Sequence, residues 1–230
     1  METCVTKRVS VVLHPNMTDI LTTGVRIKQQ AKELFMQFGL KSVSMDDIAT
    51  KLGISKKTIY QFYSDKDALV EEVIQSLIYH NQQCCEMDQR KADNAVHEIF
   101  LAMDFIMEIF RTMNPSLLFD MQKYYPVAYQ KFAKHKNDYL FGVIQNNLTR
   151  GVAEELYRPD LKIDVLARFR VESMMLPFNP EFHTKVKQNL ADVEEEITLH
   201  FLFGLVSAKG YKLAAKYQQD RLKKINKNEK

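Results

Sequence analysis

Apolar positions recur at helical spacing along most of the chain. Ile27, Ala31, Leu34, Phe35 and Phe38 fall at i, i+4, i+7, i+8 and i+11, one face of a helix whose pattern starts at Val25. Gly39 stops it, as a glycine just past a helix end does. Ser44 starts a second helix: its hydroxyl caps the free amides, and Asp47 three residues on completes a capping box. Met45, Ile48, Ala49 and Leu52 make its inner face, and Gly53 ends it. Ser55 caps a third helix, Lys56 to Tyr63, with Ile59, Phe62 and Tyr63 on one side and Lys57, Tyr60 and Gln61 on the other. Ser64 opens a fourth, again with an acid three residues on (Asp67), and Ala68, Leu69, Val73, Leu77 and Ile78 give it an apolar face. Further helices are predicted at about 92–113, 126–150, 160–176 and 192–224, with turns at Asn114-Pro115, Arg158-Pro159 and Pro177–Pro180.

Strand-like runs are rare, and Gly (7) and Pro (6) are scarce, so the fold class is all-α. Three parts are expected. Residues 1–16 fit no amphipathic helix, are interrupted by Pro15, and read as a flexible arm. Residues 17–70 form a small three-helix unit with the next helix joining it, and residues 71–230 a larger helical domain. With 46% hydrophobic and 27% charged residues the chain buries a real core and is not disordered.

Charge is uneven. Residues 1–70 hold ten Lys/Arg against seven Asp/Glu, residues 71–211 come to −5, and residues 212–230 hold seven against two. An acidic middle separates two basic ends, one of which suits a polyanion and the other a solvated helix end. Cys4, Cys84 and Cys85 include no CxxC, so neither a disulfide framework nor a zinc knuckle is indicated. No apolar run reaches the roughly 18 to 20 residues of a membrane span, and Val9–Leu13 is too short for a signal-peptide core. A cytoplasmic protein without membrane attachment is expected.

Two short helices separated by Gly53-Ile54-Ser55, the second with a wet, basic, hydroxyl-rich face, form a helix-turn-helix signature. A capped helix start presents backbone amides to phosphate, Lys57 adds charge, and Thr58 and Tyr60 add hydroxyls able to reach base edges or phosphates in a major groove. A helical hairpin with a solvated Lys56-Lys57 pair is the alternative on charge alone. The whole segment from Ser44-Met-Asp-Asp-Ile-Ala to Lys57-Thr-Ile-Tyr60, running on through Phe62-Tyr-Ser-Asp-Lys66, resembles the DNA-binding domain of the TetR family of regulators, over about residues 24–75. The resemblance implies that Ser44, Ser55, Lys57, Thr58, Tyr60 and Lys66 face double-stranded DNA, with Lys66 holding a phosphate; Lys56 and Gln61 are grouped with them. It also implies a homodimer on a palindromic operator. Phe62 and Tyr63 are exchanged relative to the family's usual order, which leaves open which of them meets the DNA backbone and which packs inside.

In the larger domain, Phe201 to Gly210 is similar to the family's final helix, which packs in a four-helix dimer interface; Phe201, Gly204, Leu205 and Ala208 are the expected contacts, with Ser207 and Gly210 also small enough for close approach. An internal helix–helix contact is the alternative. Met103, Phe105, Met107 and Phe110 crowd one helix, and Met174 and Phe178 a later segment. Such side chains suit an adaptable apolar pocket or a plain core, and the resemblance implies that some of them line a cavity for a small hydrophobic effector that releases a repressor from its operator.

His80 and Cys84, at i and i+4 with Cys85 adjacent, raise a metal- or redox-responsive regulator as an alternative, although no third and fourth ligand stand at motif spacing. Glu194-Glu195-Glu196 sits near a helix start, where the macrodipole suffices to account for it. His97-Glu98 lacks the second His of a zinc-hydrolase motif, and there is no Gly-rich phosphate loop or nucleophile elbow. Neither an enzyme, a cofactor nor a resident metal is expected, the competing reading being a helical small-molecule carrier or enzyme with an incidental hairpin.

Overall fold

The computed structural model describes residues 17–228; the N-terminal arm and Cys4 lie outside them. The elements are α1 (Met17–Phe38), α2 (Met45–Leu52), α3 (Lys56–Tyr60), α4 (Lys66–Lys91), α5 (Ala95–Phe110), α6 (Leu117–Tyr124), α7 (Pro126–Lys134), a π-helical turn (His135–Leu140), α8 (Phe141–Ala153), α9 (Ile163–Ser173), a short 3₁₀ turn (Leu176–Phe178), α10 (Pro180–Val186), α11 (Leu190–Leu205) and α12 (Ala208–Asn228). Among the described residues the sole β-pairing is an isolated bridge between Tyr157 and Val206.

Two cores organise the chain. The first gathers Ile27, Ala31 and Phe35 of α1, Ile48 of α2, Ile59 of α3 and Leu69 and Val73 of α4, and it continues into Leu117, Met121 and Tyr125 around α6. The second joins Val96 and Phe100 of α5 to Leu148, Ala167, Leu202 and Leu205. Helix α4 spans the expected boundary near residue 70 and packs in the first core beside α1 and α6, so the N-terminal unit is not separated from the body by a linker.

Local signals act where the pattern puts them. Ser44 caps α2 with a complete capping box, Gly53 closes it in the left-handed conformation (φ 65°), and Ser55 caps α3. A five-residue helix is marginal alone; full burial of Ile59, contributing roughly 1.5–3 kcal/mol, holds α3 to the core.

Several boundaries differ from expectation. Helix α1 begins at Met17 rather than Val25: the stretch before Gly24 lacks apolar periodicity but contains no breaker. Helix α3 ends at Tyr60, because the Gln61 and Phe62 amides fold back on the Thr58 and Ile59 carbonyls. The cap of α4 is Asp65, which accepts from the Ala68 amide at 2.8 Å, while the Ser64 hydroxyl donates to the Asp65 carboxylate. Helices α6 and α10 are too short to announce themselves by periodicity.

The expected helix 192–224 is two helices. Val206 is extended (ψ 144°) and the chain breaks before Ala208. The 155–158 loop fills the break: the Arg158 amide donates to the Leu205 carbonyl and the Ser207 amide to the Leu156 carbonyl, both at 2.9 Å, and the Ser207 hydroxyl donates to the Glu155 carbonyl. Backbone groups freed by ending one helix and starting another are thus satisfied by the loop. Gly210 belongs to this junction, since a Cβ there would overlap the Leu156 carbonyl oxygen.

Candidate nucleic-acid interface and ligand cavities

Helix α3 turns Ile59 inward and leaves Lys57, Tyr60 and Gln61 in solvent. None of these three side chains makes a hydrogen bond among the described residues, so an ammonium, a phenol and an amide are free along one edge. The remaining expected contacts are more committed. Ser44 donates to Asp47 and accepts the Asp47 amide, and this bonding holds the Asp47 carboxyl below its ordinary pKa. Ser55 and Thr58 share a hydroxyl–hydroxyl bond of 2.8 Å at the start of α3. Lys56 pairs with Asp46 at 2.7 Å, bracing α3 against α2.

Lys66 is half-buried: its ammonium donates to the Leu40 carbonyl at 2.5 Å and lies over the rings of Phe35 and Tyr125. Burial lowers its pKa, against the pull of Asp120, Asp67 and Asp47. In this arrangement the charge rests on carbonyls of the turn that follows α1. Phe62 and Tyr63 are both half-buried and both reach Gly24 of α1. The Tyr63 hydroxyl donates to its carbonyl at 3.1 Å, and the Phe62 ring packs so close that a Cβ on residue 24 would stand 3.1 Å away.

Two cavities adjoin in the body. One, of about 120 Å³, lies among α4, α5, α8, α9 and α11; the other, of about 170 Å³, lies among α4, α5, α6 and the 3₁₀ turn. They share Asn81, Phe105, Ile106, Leu140 and Met174. Of the expected pocket residues, Met103 lines the first, Phe110 and Phe178 the second, and Phe105 and Met174 both. Met107 lines neither and is packed in the second core.

Polar residues that were not expected to line a pocket mark these cavities. Arg170 of α9 and Glu194 of α11 pair at 2.6 Å, with Thr198 beside them, all lining the first cavity. Glu194 is therefore a buried core carboxylate rather than a solvated helix-start acid, and burial raises its pKa. A signal existed: Leu190, Glu194, Thr198, Phe201 and Leu205 share one helical face. His135, in the π-helical turn, lines the second cavity, and its Nε2 lies 2.9 Å from Asn81 Oδ1. Burial pushes its pKa below the ordinary histidine value.

The expected dimer contacts divide. Phe201 and Leu205 are buried within their own protomer, so they are not surface contacts, whereas Gly204 and Ala208 are exposed and a Cβ at Gly204 would meet nothing within 4 Å. On neighbouring α9, Val165 and Phe169 are more than half exposed (62% and 54%). His80 Nε2 and Cys84 Sγ are 3.8 Å apart, and burial drives the Cys85 thiol up to about 12. Among the described residues no three His, Cys, Asp or Glu side chains gather as a metal site, and no helix is long and apolar enough to cross a membrane.

Residues 27–73 match the model of the tetR family of bacterial regulatory proteins. The chain is 26% identical over 188 residues to the uncharacterised HTH-type transcriptional regulator YvaF of Bacillus subtilis, covering 80% of this chain and 95% of the relative. It is 27% identical over 153 residues to the HTH-type transcriptional repressor KstR2 of Mycolicibacterium smegmatis, covering 61% and 70%. A TetR-family transcriptional regulator from Agrobacterium tumefaciens shares the fold with a TM-score of 0.68 at 15% identity, over 82% of this chain and all of that one.

Proposed function

We propose that the chain, whose residues 27–73 match the tetR family of bacterial regulatory proteins, is a cytoplasmic, non-enzymatic repressor, released from a palindromic operator by a small hydrophobic effector. The observation that carries the DNA half is the free edge Lys57, Tyr60 and Gln61 on a helix anchored by Ile59. Two copies, paired through the surface around Gly204, Ala208, Val165 and Phe169, present these edges to half-sites about 34–36 Å apart. Residues 17–70 read the operator and residues 71–230 bind the effector and the second copy. The name of the repressor among its relatives supports the sign of regulation.

The second cavity supports the switch. Its wall includes Met36 of α1, Ile74, Leu77 and Ile78 of α4, and Leu117 and Met121 of α6. All these helices also contribute to the first core, which holds α2 and α3. A ligand filling this space bears on the elements that set the spacing of the two recognition edges. It shifts the equilibrium only as far as it prefers the DNA-incompetent arrangement.

The test is to select bound fragments from the source genome, then follow anisotropy of a labelled operator with and without apolar compounds. Salt-sensitive binding to a palindrome, weakened by a compound that also raises the melting temperature, is expected. Failure to enrich any sequence overturns the reading.

A further inference from the structure

We infer that the effector is a neutral apolar molecule ending in a hydroxyl or primary amide, seated on Arg170 and Glu194, and not a free carboxylate. This rests on the effector reading above and specifies its chemistry.

The Arg170–Glu194 pair is incomplete. Arg170 Nη2 donates to Glu194 Oε1 at 2.6 Å and to Thr198 Oγ1 at 2.7 Å, and the Thr198 hydroxyl donates to the same Oε1 at 3.2 Å. One nitrogen and one carboxylate oxygen do all the bonding. Arg170 Nη1 and Glu194 Oε2 are buried without a partner, on side chains 11% and 3% exposed. Both residues line the first cavity. A guanidinium fork and a carboxylate ordinarily meet with two parallel bonds; here the second bond of each is left for something else.

The complementary group must accept from Nη1 and donate to Oε2. A hydroxyl does both through one oxygen, and a primary amide through its oxygen and nitrogen. A carboxylate satisfies Nη1 but sets a negative charge against Oε2. An ammonium satisfies Oε2 but faces the guanidinium. Glu98 and Asp88 line the same cavity, the former tied to Arg150 at 3.3 Å, so the surroundings offer no surplus positive charge to an anion.

The rest of the ligand follows from the shared wall. The second cavity is apolar apart from a few groups, among them His135. Its Nε2 bonds to Asn81 Oδ1, an acceptor, so Nε2 carries the proton and the unpartnered Nδ1 presents a lone pair. A second hydroxyl on the ligand has a place there. A cavity of about 150 Å³ takes one benzene, so cavities of about 120 and 170 Å³ together suit about ten to twelve heavy atoms.

The full-length protein is titrated calorimetrically, below micellar concentrations, with 1-decanol, decanamide, decanoate, decylammonium and 1-methoxynonane, an ether that accepts but cannot donate. The alcohol and the amide should bind at least tenfold tighter than the other three. In Glu194→Gln, whose fold is checked by circular dichroism, Arg170 loses its counter-charge, and decanoate should gain at least tenfold on decanol. Decanoate or the ether equalling decanol on the wild-type protein overturns the inference while leaving a hydrophobic sensor intact. Discrimination that persists unchanged in folded Glu194→Gln also overturns it, because the anchor then lies elsewhere. If none of the probes binds, the sensor reading falls and this inference with it.

Discussion

The Asp120 carboxylate accepts a hydrogen bond from the Lys41 backbone amide at 2.9 Å, tying the start of α6 to the turn between α1 and α2. Asp120 is buried, and next to it the Asn114 amide donates to the Met36 carbonyl at 2.7 Å. With α4, this strap is a route by which the cavity wall reaches the DNA-binding helices. Gly39 sits under it: at φ 85°, with Ser116 Oγ and Asp120 Oδ2 at 2.8 and 3.1 Å from any added Cβ, no other residue fits without strain. Asp120→Ala should lower stability by about 1–3 kcal/mol, since it strips a partner from a part-buried amide. It should also shrink the effect of an effector on operator affinity. Denaturant melts and operator titrations with and without ligand measure both; an unchanged melt would remove the strap from the account.

Lys57 and Tyr60 differ from Lys66 in what their removal should do. Lys57→Ala and Tyr60→Ala should each weaken operator binding by about 1–3 kcal/mol and leave the melting temperature alone. If Lys57 meets a phosphate, its loss should also flatten the salt slope by about one unit. Lys66→Met should instead lower the melting temperature, because the Leu40 carbonyl loses its charged donor and keeps only the long bond from Tyr125. A Lys66 variant of normal stability that flattens the salt slope would return that residue to the DNA.

Gly204 and Gly210 separate assembly from folding. Gly204→Glu adds charge to an open surface and should yield monomers of normal stability with weak operator binding, as one half-site's avidity is lost. Gly210→Ala forces a Cβ into the Leu156 carbonyl and should destabilise by roughly 1–3 kcal/mol. Sedimentation and thermal melts distinguish them, and a dimer intact in Gly204→Glu would move the interface elsewhere.

His135 should make stability depend on pH. Burial holds its folded pKa below the ordinary 6.5. The unfolded chain therefore takes up a proton first as pH falls, and stability present above pH 6.5 is lost below it. Asp88, Glu98 and Glu194, with pKa values raised by burial, act in the opposite sense. The signal is the wild-type melting temperature minus that of His135→Gln, which should fall between neutral pH and pH 5 because only the wild type loses this stability. Parallel curves would refute it.

The cysteines should be poor sensors. Burial raises the thiol pKa of Cys84 and takes that of Cys85 up to about 12, so little nucleophilic thiolate exists at neutral pH. Operator affinity should survive hydrogen peroxide treatment. A loss that Cys84→Ser or Cys85→Ser abolishes would restore the redox alternative.

Events that complete within a turn or two of helix could be read directly from the residues. Ser44 with Asp47, Gly53, Ser55 and the inward spacing of Ile48 and Ile59 specify the helix-turn-helix, because a cap or a glycine stop needs only neighbours within about four residues. The apolar chemistry of Phe105, Phe110, Met174 and Phe178 suits a pocket or a core alike, and the fold sets all four along a cavity. Contacts between partners distant along the chain emerged on folding alone. Lys66 turns inward to a carbonyl 26 residues back, Glu194 finds Arg170 on another helix, and a break at Val206 admits the loop around Leu156. Helical periodicity says which face is apolar. It does not say whether that face meets a core, a cavity or a second copy, since water is excluded from all three; Phe201 and Leu205 went to the core while Gly204 between them stayed in solvent.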